Sequence, residues 1–278
     1  MARCRAAVLS LALALAAARA PAALPAAGAD ELRGDEAWAG RALDFAATGR
    51  VAPGPAAAAV AAYERAWVAP GRSSRLAGKL VDALWFRGHF VLADGPEARP
   101  LFDRAVEVAE EAVATAAGSG KADEAEARFW AAIAWGVWGI DHGYFAAGLH
   151  GVAGRIRDHA ERAARLDEGY ADGGPRRLLG RLHTVTPHLP LFTGWIDPAE
   201  GIDQLERAVA ISTADPRNEL FLAEALLRHA PSRRAEALQL LAKVAARSPA
   251  AAELVEQSET TAAARRQLAG LQESPGPR

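Results

Sequence analysis

Six side chains in the middle third of the chain have the chemistry to bind a divalent metal ion. They are Asp141, His142, His150, His159, His183 and His188. Carboxylate oxygens and imidazole nitrogens are frequent metal ligands, so these residues could in principle converge on one ion. Their spacing follows no metal-binding motif, however, and isolated histidines near helix ends are usually surface or capping groups. We therefore expect no metal site here, and the alternative is a metal-dependent enzyme built on these histidines.

A second candidate for chemistry is the glycine-rich segment 118–121, which superficially resembles a phosphate-binding loop. Thr115 lies six residues before Lys121, where such a loop requires glycine, and Ala122 stands where Ser or Thr would bind magnesium. The sequence also has no HExxH, GxSxG, CxxC or EF-hand pattern. We therefore expect a non-enzymatic protein with no catalytic residues and no cofactor.

The tryptophans of the uncharged segment 129–140 allow two interpretations. Trp130, Trp135 and Trp138 could line an apolar ligand pocket, or they could fill a core in which small alanines leave space. Gly136 and Gly139 lie between the rings and predict close helix packing, which favours the core. A helical solenoid buries one face and leaves the other accessible to ligands. Residues on this helix could therefore contribute both to the core and to a binding surface.

Two insertions interrupt the helical pattern near the middle of the chain, at about 140–155 and 184–197. Insertions in a helical solenoid usually lie on one face, which is often the binding face. The sequence therefore predicts a central binding surface. Its residues are Trp130, Trp135, Trp138, His142, Tyr144, Pro187, Leu191, Phe192 and Trp195.

The sharpest local feature is the turn Asp172-Gly173-Gly174-Pro175. Two glycines before a helix-starting proline imply positive φ angles or a close approach of another backbone. A glycine-bearing helix N-terminus can also hold an anion. We favour the structural interpretation, a tight turn that allows two repeats to pack.

The composition predicts an all-α protein. Hydrophobic residues make up 51% of the 278 residues, but much of that share is alanine, a strong helix former, and no stretch alternates apolar and polar residues. The net charge of −2 is too close to neutral for a nucleic-acid-binding surface.

A short helical pattern recurs five times near turn signals, as YERA (63–66), FDRA (102–105), AERA (160–163), LERA (205–208) and LAKV (241–244). A single helical hairpin cannot bury its apolar face, so neighbouring hairpins must stack. The pattern predicts an α-solenoid of about five hairpins, similar to tetratricopeptide repeats (TPRs), with a closing C-terminal helix. The first hairpin should pair helices 36–48 and 55–68, and the second 74–92 and 97–116. The third should pair a helix that begins at 122 with one that ends at 166, and the fourth 175–183 with a helix that begins at 198. The fifth should pair 219–228 and 234–246, and the closing helix should be 250–268.

The chain should divide into three parts. Residues 1–29 resemble a signal peptide, because Arg3 and Arg5 precede a short apolar run that ends in small residues. A membrane anchor is the alternative, although the run is shorter than a bilayer span requires. Residues 30–270 should form one TPR-like domain, beginning with a polar lead at 30–36, and residues 271–278 a disordered tail.

Beyond the general repeat, the chain resembles the T-component family of TRAP-type transporters, which are exported helical proteins of bacteria. The resemblance rests on the segments ARFWAAIAWGVWG, ARLDEGYADGGPRRLLGRLH and ADPRNELFLAEALL, and on the proline-rich connection, within residues 74–250. It implies an accessory protein that assists a periplasmic solute-binding partner. Many members are lipoproteins, but Cys4 precedes the apolar run, so this chain has no cysteine at the lipid-attachment position.

These observations predict an exported binding protein of the periplasm or cell envelope. Its expected partner is a periplasmic solute-binding protein or another envelope protein, with a small apolar organic ligand as a further candidate and no nucleic acid. The sequence leaves open whether the chain forms an oligomer. The alternative function is a general envelope scaffold that binds no solute.

Overall fold

The computed structural model describes residues 26–189 and 192–273, and within these ranges the chain forms twelve α-helices and no strand. The helices are α1 Ala26–Ala39, α2 Phe45–Thr48, α3 Pro53–Val68, α4 Ser74–Phe86, α5 Arg99–Ala116, α6 Lys121–Leu149, α7 Val152–Leu166, α8 Tyr170–Val185, α9 Pro198–Ile211, α10 Pro216–His229, α11 Arg234–Ala245 and α12 Leu254–Glu273. A π-helical turn, Arg87–Val91, extends α4. Most of the predicted signal peptide, residues 1–29, lies outside the described residues, as do the last five residues of the predicted tail.

Ten of these helices pair as five hairpins, α1 with α3, α4 with α5, α6 with α7, α8 with α9, and α10 with α11. Consecutive hairpins pack on one another, and α12 packs on α10 and α11. The predicted all-α solenoid of five hairpins with a closing helix is therefore confirmed. No helix in the described part of the chain is both long enough and apolar enough to cross a membrane.

The first hairpin differs from the expectation. The predicted polar lead at 30–36 is part of α1, whereas the predicted helix 36–48 is divided by turns before the short α2. The polar residues are helical because they have partners on other helices. Asp35 accepts a hydrogen bond from the Tyr63 hydroxyl at 2.8 Å, and Lys79 Nζ lies 2.7 Å from Glu31. Gly34 lies directly against the Tyr63 ring.

The third hairpin contains the longest helix. The first of the glycines after residue 142 breaks its helical course, as expected: Gly143 is non-helical, with φ +82°, and a further helical segment runs from there to Leu149 within the range of α6. The apolar segment 129–140 is buried at Phe129, Trp135 and Trp138, as predicted. Its last residue, Ile140, is exposed, because α6 extends beyond the helices that cover its first half.

The stack closes on itself. Arg41, after α1, forms a buried ion pair with Glu256 of α12, 215 residues away in sequence. His89, after α4, contacts Glu259 of α12, and Val255 packs in one cluster with Phe86. The C-terminal helix therefore covers the end of the stack and also contacts the first two hairpins.

Candidate binding surface on the central hairpins

Three predicted residues meet at the middle of α6. The Trp135 and Trp138 rings lie 5.7 Å apart, edge to face, and the Trp138 ring stacks on His142 at 3.9 Å. His150, at the end of α6, adds an edge contact with Trp138 at 4.9 Å. The kink at Gly143 brings the helix end back toward Trp138, so the structure gathers Trp135, Trp138 and His142 in one cluster.

Acidic residues of α5 bind the two tryptophans. Trp135 Nε1 donates a hydrogen bond to Glu110 at 2.6 Å, and Trp138 Nε1 donates to Asp103 at 2.7 Å. Hydrogen bonds from His159 and Trp135 lower the pKa of Glu110 to about 2, so its carboxylate is charged at neutral pH. Sequence reasoning missed both acids, although their spacing of one heptad places them on one face of α5. Both indole N–H groups are satisfied, which supports a packing role for these rings.

Trp130 lies elsewhere. Its ring packs against Gly78 of α4, where a Cβ atom would come within 2.4 Å of Trp130 Nε1. It belongs to the core of the first three hairpins. The structure therefore separates Trp130 from Trp135 and Trp138, because residues five apart on a helix point to different sides.

On either side of the kink at Gly143, α6 exposes apolar side chains to solvent. The exposed fractions are 85% for Ile140, 80% for Tyr144, 82% for Phe145 and 68% for Leu149. We call these four residues the apolar edge. The sequence predicted only Tyr144 from this group. For Phe145 and Leu149 the available signal was the absence of charge from residues 143–149, whereas Ile140 ends the uncharged segment that was expected to be buried.

The second insertion, residues 186–197, carries the other predicted residues. Pro187 and Phe192 are exposed, Trp195 is half-buried, and Leu191 lies outside the described residues. Hydrogen bonds join the described residues on the two sides of the loop: Thr193 Oγ1 donates to the Pro187 carbonyl at 2.6 Å and accepts from the Leu189 amide at 2.8 Å.

The insertion lies on the same side of the stack as the apolar edge. Because α8 runs antiparallel to α7, the end of α8 lies beside the start of α7, where α6 has just ended. The Arg157 guanidinium of α7 stacks over the Trp195 ring at 4.2 Å and ties the loop to this side. The two insertions thus lie along one margin of the molecule.

Two clefts flank the loop. A cleft of about 350 Å³ lies among α7, α8 and α9 and is lined by charged groups, including Arg157, Glu161 and Arg176, with Leu179 and Trp195 as apolar walls. A second, of about 560 Å³, lies between the ends of α8 and α10 and is lined by His183 and His229. Burial lowers the pKa of His183, and its Nδ1 accepts the Asp197 amide at 3.0 Å.

The turn at Asp172-Gly173-Gly174-Pro175 lies at a contact between repeats. A Cβ atom on Gly173, where φ is +77°, would approach Ala208 of α9 at 3.2 Å, and one on Gly174 would meet the Phe129 ring at 2.5 Å. Asp172 accepts a hydrogen bond from Ser212 Oγ at 2.8 Å. These contacts agree with a packing turn. Ala171, Asp172 and Gly173 have left-handed backbone conformations within the range of α8, so its regular helical course begins only after Gly173.

Of the histidines considered at the outset, His142 and His150 share the Trp138 ring as a neighbour, and the others have separate partners. His159 contacts Glu110, His183 accepts the Asp197 amide, and His142 stacks on Trp138. Among residues 26–189 and 192–273, no group of three or more His, Cys, Asp or Glu side chains is arranged to hold a metal ion.

Comparison with known proteins supports the fold and no more. The chain is similar to the crystal structure of a thermophilic TPR protein from Thermus thermophilus, with a TM-score of 0.56 and 17% sequence identity. The match covers 89% of this chain and all of the other. No protein-family model matches the sequence. No curated protein matches it either.

Proposed function

We propose that this chain is a non-enzymatic binding protein that holds a partner protein on the margin formed by α6 and the loop residues 186–189 and 192–197. One observation carries the proposal: Ile140, Tyr144, Phe145 and Leu149 each expose most of their surface within the last ten residues of α6. Scattered exposed apolar residues are normal, whereas a group rimmed by polar residues is typical of an interaction site.

The proposal extends to a partner and a location. The sequence resemblance to the T-component family supports a solute-binding protein of a TRAP-type uptake system as the partner. The apolar run that follows Arg3 and Arg5 supports export to the periplasm, where such a partner resides. A partner protein fits the margin better than a small apolar ligand does, because charged side chains line the cleft beside Trp195.

The test is the affinity for the purified solute-binding protein of the TRAP system from the same organism, measured by biolayer interferometry. Replacing Tyr144 and Phe145 together with serine should weaken binding at least tenfold, about 1.4 kcal/mol, because aromatic residues dominate interface energies. Both side chains are exposed, so the substitutions should leave folding stability within about 0.5 kcal/mol.

Val68→Ser is the matched control. Val68 is 71% exposed at the end of α3, on the opposite margin of the stack, and its substitution should change the affinity less than twofold. The proposal fails if the unaltered protein does not bind, or if the double variant binds as tightly as the unaltered protein.

A further inference from the structure

The first two hairpins form a second surface that a helix already covers. We call it the α12 seat; it consists of Trp38, Arg41, Asp82, Phe86 and His89. It receives the first turns of α12 together with the residues just before them, 252–260. This surface is distinct from the apolar edge, so an inference about the α12 seat does not depend on the function proposed above.

The seat binds acidic side chains. Arg41 Nε and Nη2 both donate to Glu256 Oε1, at 3.1 and 2.9 Å, and Nη2 also donates to the Ala252 carbonyl at 2.5 Å. The His89 ring lies between Asp94 and Glu259, with its Nε2 atom 3.0 Å from Glu259 Oε1. A charged pair with two hydrogen bonds recognises both the charge and the orientation of its ligand.

The seat also accepts an apolar side chain. Val255 is buried and packs in one cluster with Ala56 and Phe86, at whose edge Trp38 lies. The Trp38 ring supports Arg41, with the guanidinium 4.1 Å from the ring centroid. An apolar anchor next to a recurring acidic face is the pattern by which an amphipathic helix docks on a surface.

The fit of α12 is incomplete. Glu256 Oε2 is buried, and within the described part of the chain it has no hydrogen-bond partner. The carboxylate of Asp82 lies close enough to repel Glu256. Arg217 and Glu253, from the C-terminal half, also act on the Asp82 carboxylate. An unsatisfied buried carboxylate oxygen costs free energy, so the seat holds its resident turns less tightly than a fully satisfied contact would.

The seated turns are also separable from the rest of α12. The second half of the helix has its own anchors on α10 and α11, where Ala264 is buried and Leu268 and Leu271 pack. Arg265 Nε donates to the Ala245 carbonyl at 3.0 Å. Residues 252–260 can therefore leave the seat while the C-terminal cluster remains intact.

We propose that the α12 seat is a binding site for an acidic amphipathic helix of a partner protein, and that residues 252–260 occupy it as a displaceable internal ligand. The partner helix carries two acids three residues apart, as in Glu256 and Glu259, next to one aliphatic residue. This partner helix has to compete with residues 252–260, which are tethered to the seat and have an effective concentration in the millimolar range.

The probe is a fluorescein-labelled peptide of residues 250–263, whose binding to the full chain is followed by fluorescence anisotropy. Val255→Asp places a charge in the apolar part of the seat and should release the resident turns. We expect the peptide to bind this variant at least tenfold more tightly than the unaltered chain. A peptide with lysine at positions 253, 256 and 259 should not bind either protein.

The contribution of the seat is tested in the Val255→Asp background. Arg41→Glu should weaken peptide binding at least tenfold. Arg65→Glu is the matched control, because Arg65 is an exposed arginine of the same hairpin that pairs with Asp30, away from the seat. Equal affinities for the Val255→Asp variant and the unaltered chain, or an affinity that Arg41→Glu leaves unchanged, would overturn the proposal.

Hydrogen exchange of the unaltered chain gives a readout that does not depend on any variant folding. If the seated turns open as a unit, amides 258–261 should exchange at least tenfold faster than amides 264–268 of the same helix. Equal protection of the two segments would show that α12 opens only as a whole, and the internal-ligand proposal would then be wrong.

Discussion

Asp82 carries a carboxyl group whose surroundings disfavour its charged form. Burial, with Glu256 as the next cause, raises the pKa of its carboxyl to about 7, while Arg41 and Arg217 act in the opposite direction. A raised pKa means that the folded protein binds this proton more tightly than the unfolded chain does. Stability from this group is therefore present below the ordinary carboxyl pKa and is lost as the pH rises toward 7.

Asp82→Asn removes this titration, and its effect should depend on pH. Above pH 7.5 the variant should be more stable than the unaltered chain by about 1–3 kcal/mol, because the amide needs no proton to be neutral. Near pH 5, closer to the ordinary carboxyl pKa, this advantage should be clearly smaller. Urea denaturation at both pH values measures the difference, and a variant that is equally destabilised at both would contradict the assignment.

The central tryptophans show what residue-level reasoning could and could not reach. A core position for them was expected from a segment without charges. The sequence grouped Trp130, Trp135 and Trp138, whereas only Trp135 and Trp138 share a cluster. The acids that bind them, Asp103 and Glu110, lie on another helix. Pairing across helices depends on how hairpins pack, which the sequence pattern of one helix does not encode.

At the scale of elements, two glycines decide how closely α8 and α9 pack. A Cβ atom on Gly180 would lie 2.4 Å from Leu205 Cγ and 2.8 Å from the Gly201 carbonyl. A Cβ atom on Gly201 would in turn meet Thr184 and His183 at 2.7–2.8 Å. Backbone and buried side chains have no room to move apart here, so the crossing requires glycine at both positions.

Gly180→Ala should therefore destabilise the protein by about 1–3 kcal/mol, because the methyl group forces two packed helices apart. Gly136→Ala is the control from the middle of α6, where the nearest atom to the added Cβ is Ile156 Cδ1 at 4.0 Å. That substitution should stabilise the chain by about 0.5–1 kcal/mol, because alanine favours helix. Thermal unfolding of the two variants should move in opposite directions, and parallel shifts would refute the packing account.

The same comparison separates two glycines that look equivalent in the sequence. Both Gly136 and Gly139 were expected to permit close packing, but only Gly139 lies against a neighbour, because a Cβ atom added there would be 3.0 Å from Val152 Cγ1.

Helix boundaries were predictable where a capping residue marks them, as at Asp197, whose side chain accepts the Ala199 amide. They failed at α1, because its polar residues have partners on α3 and α4.

At the scale of the whole molecule, the number of hairpins was predictable from recurring turns and small residues. The closure of the stack was not, because Arg41 and Glu256 are 215 residues apart and no repeat pattern relates them. Closure leaves two kinds of surface: a seat occupied by the chain's own α12, and a margin whose aromatic side chains face solvent. The margin carries the proposed function because its apolar side chains are exposed.

The most direct test of that claim is photocrosslinking with benzoylphenylalanine at position 145, using the purified TRAP solute-binding protein as partner. Position 68, which is also well exposed but lies on the opposite margin, serves as the reference site. The account predicts a crosslinked complex from position 145 and none from position 68. Crosslinking from position 68 alone, or from neither position, would contradict it.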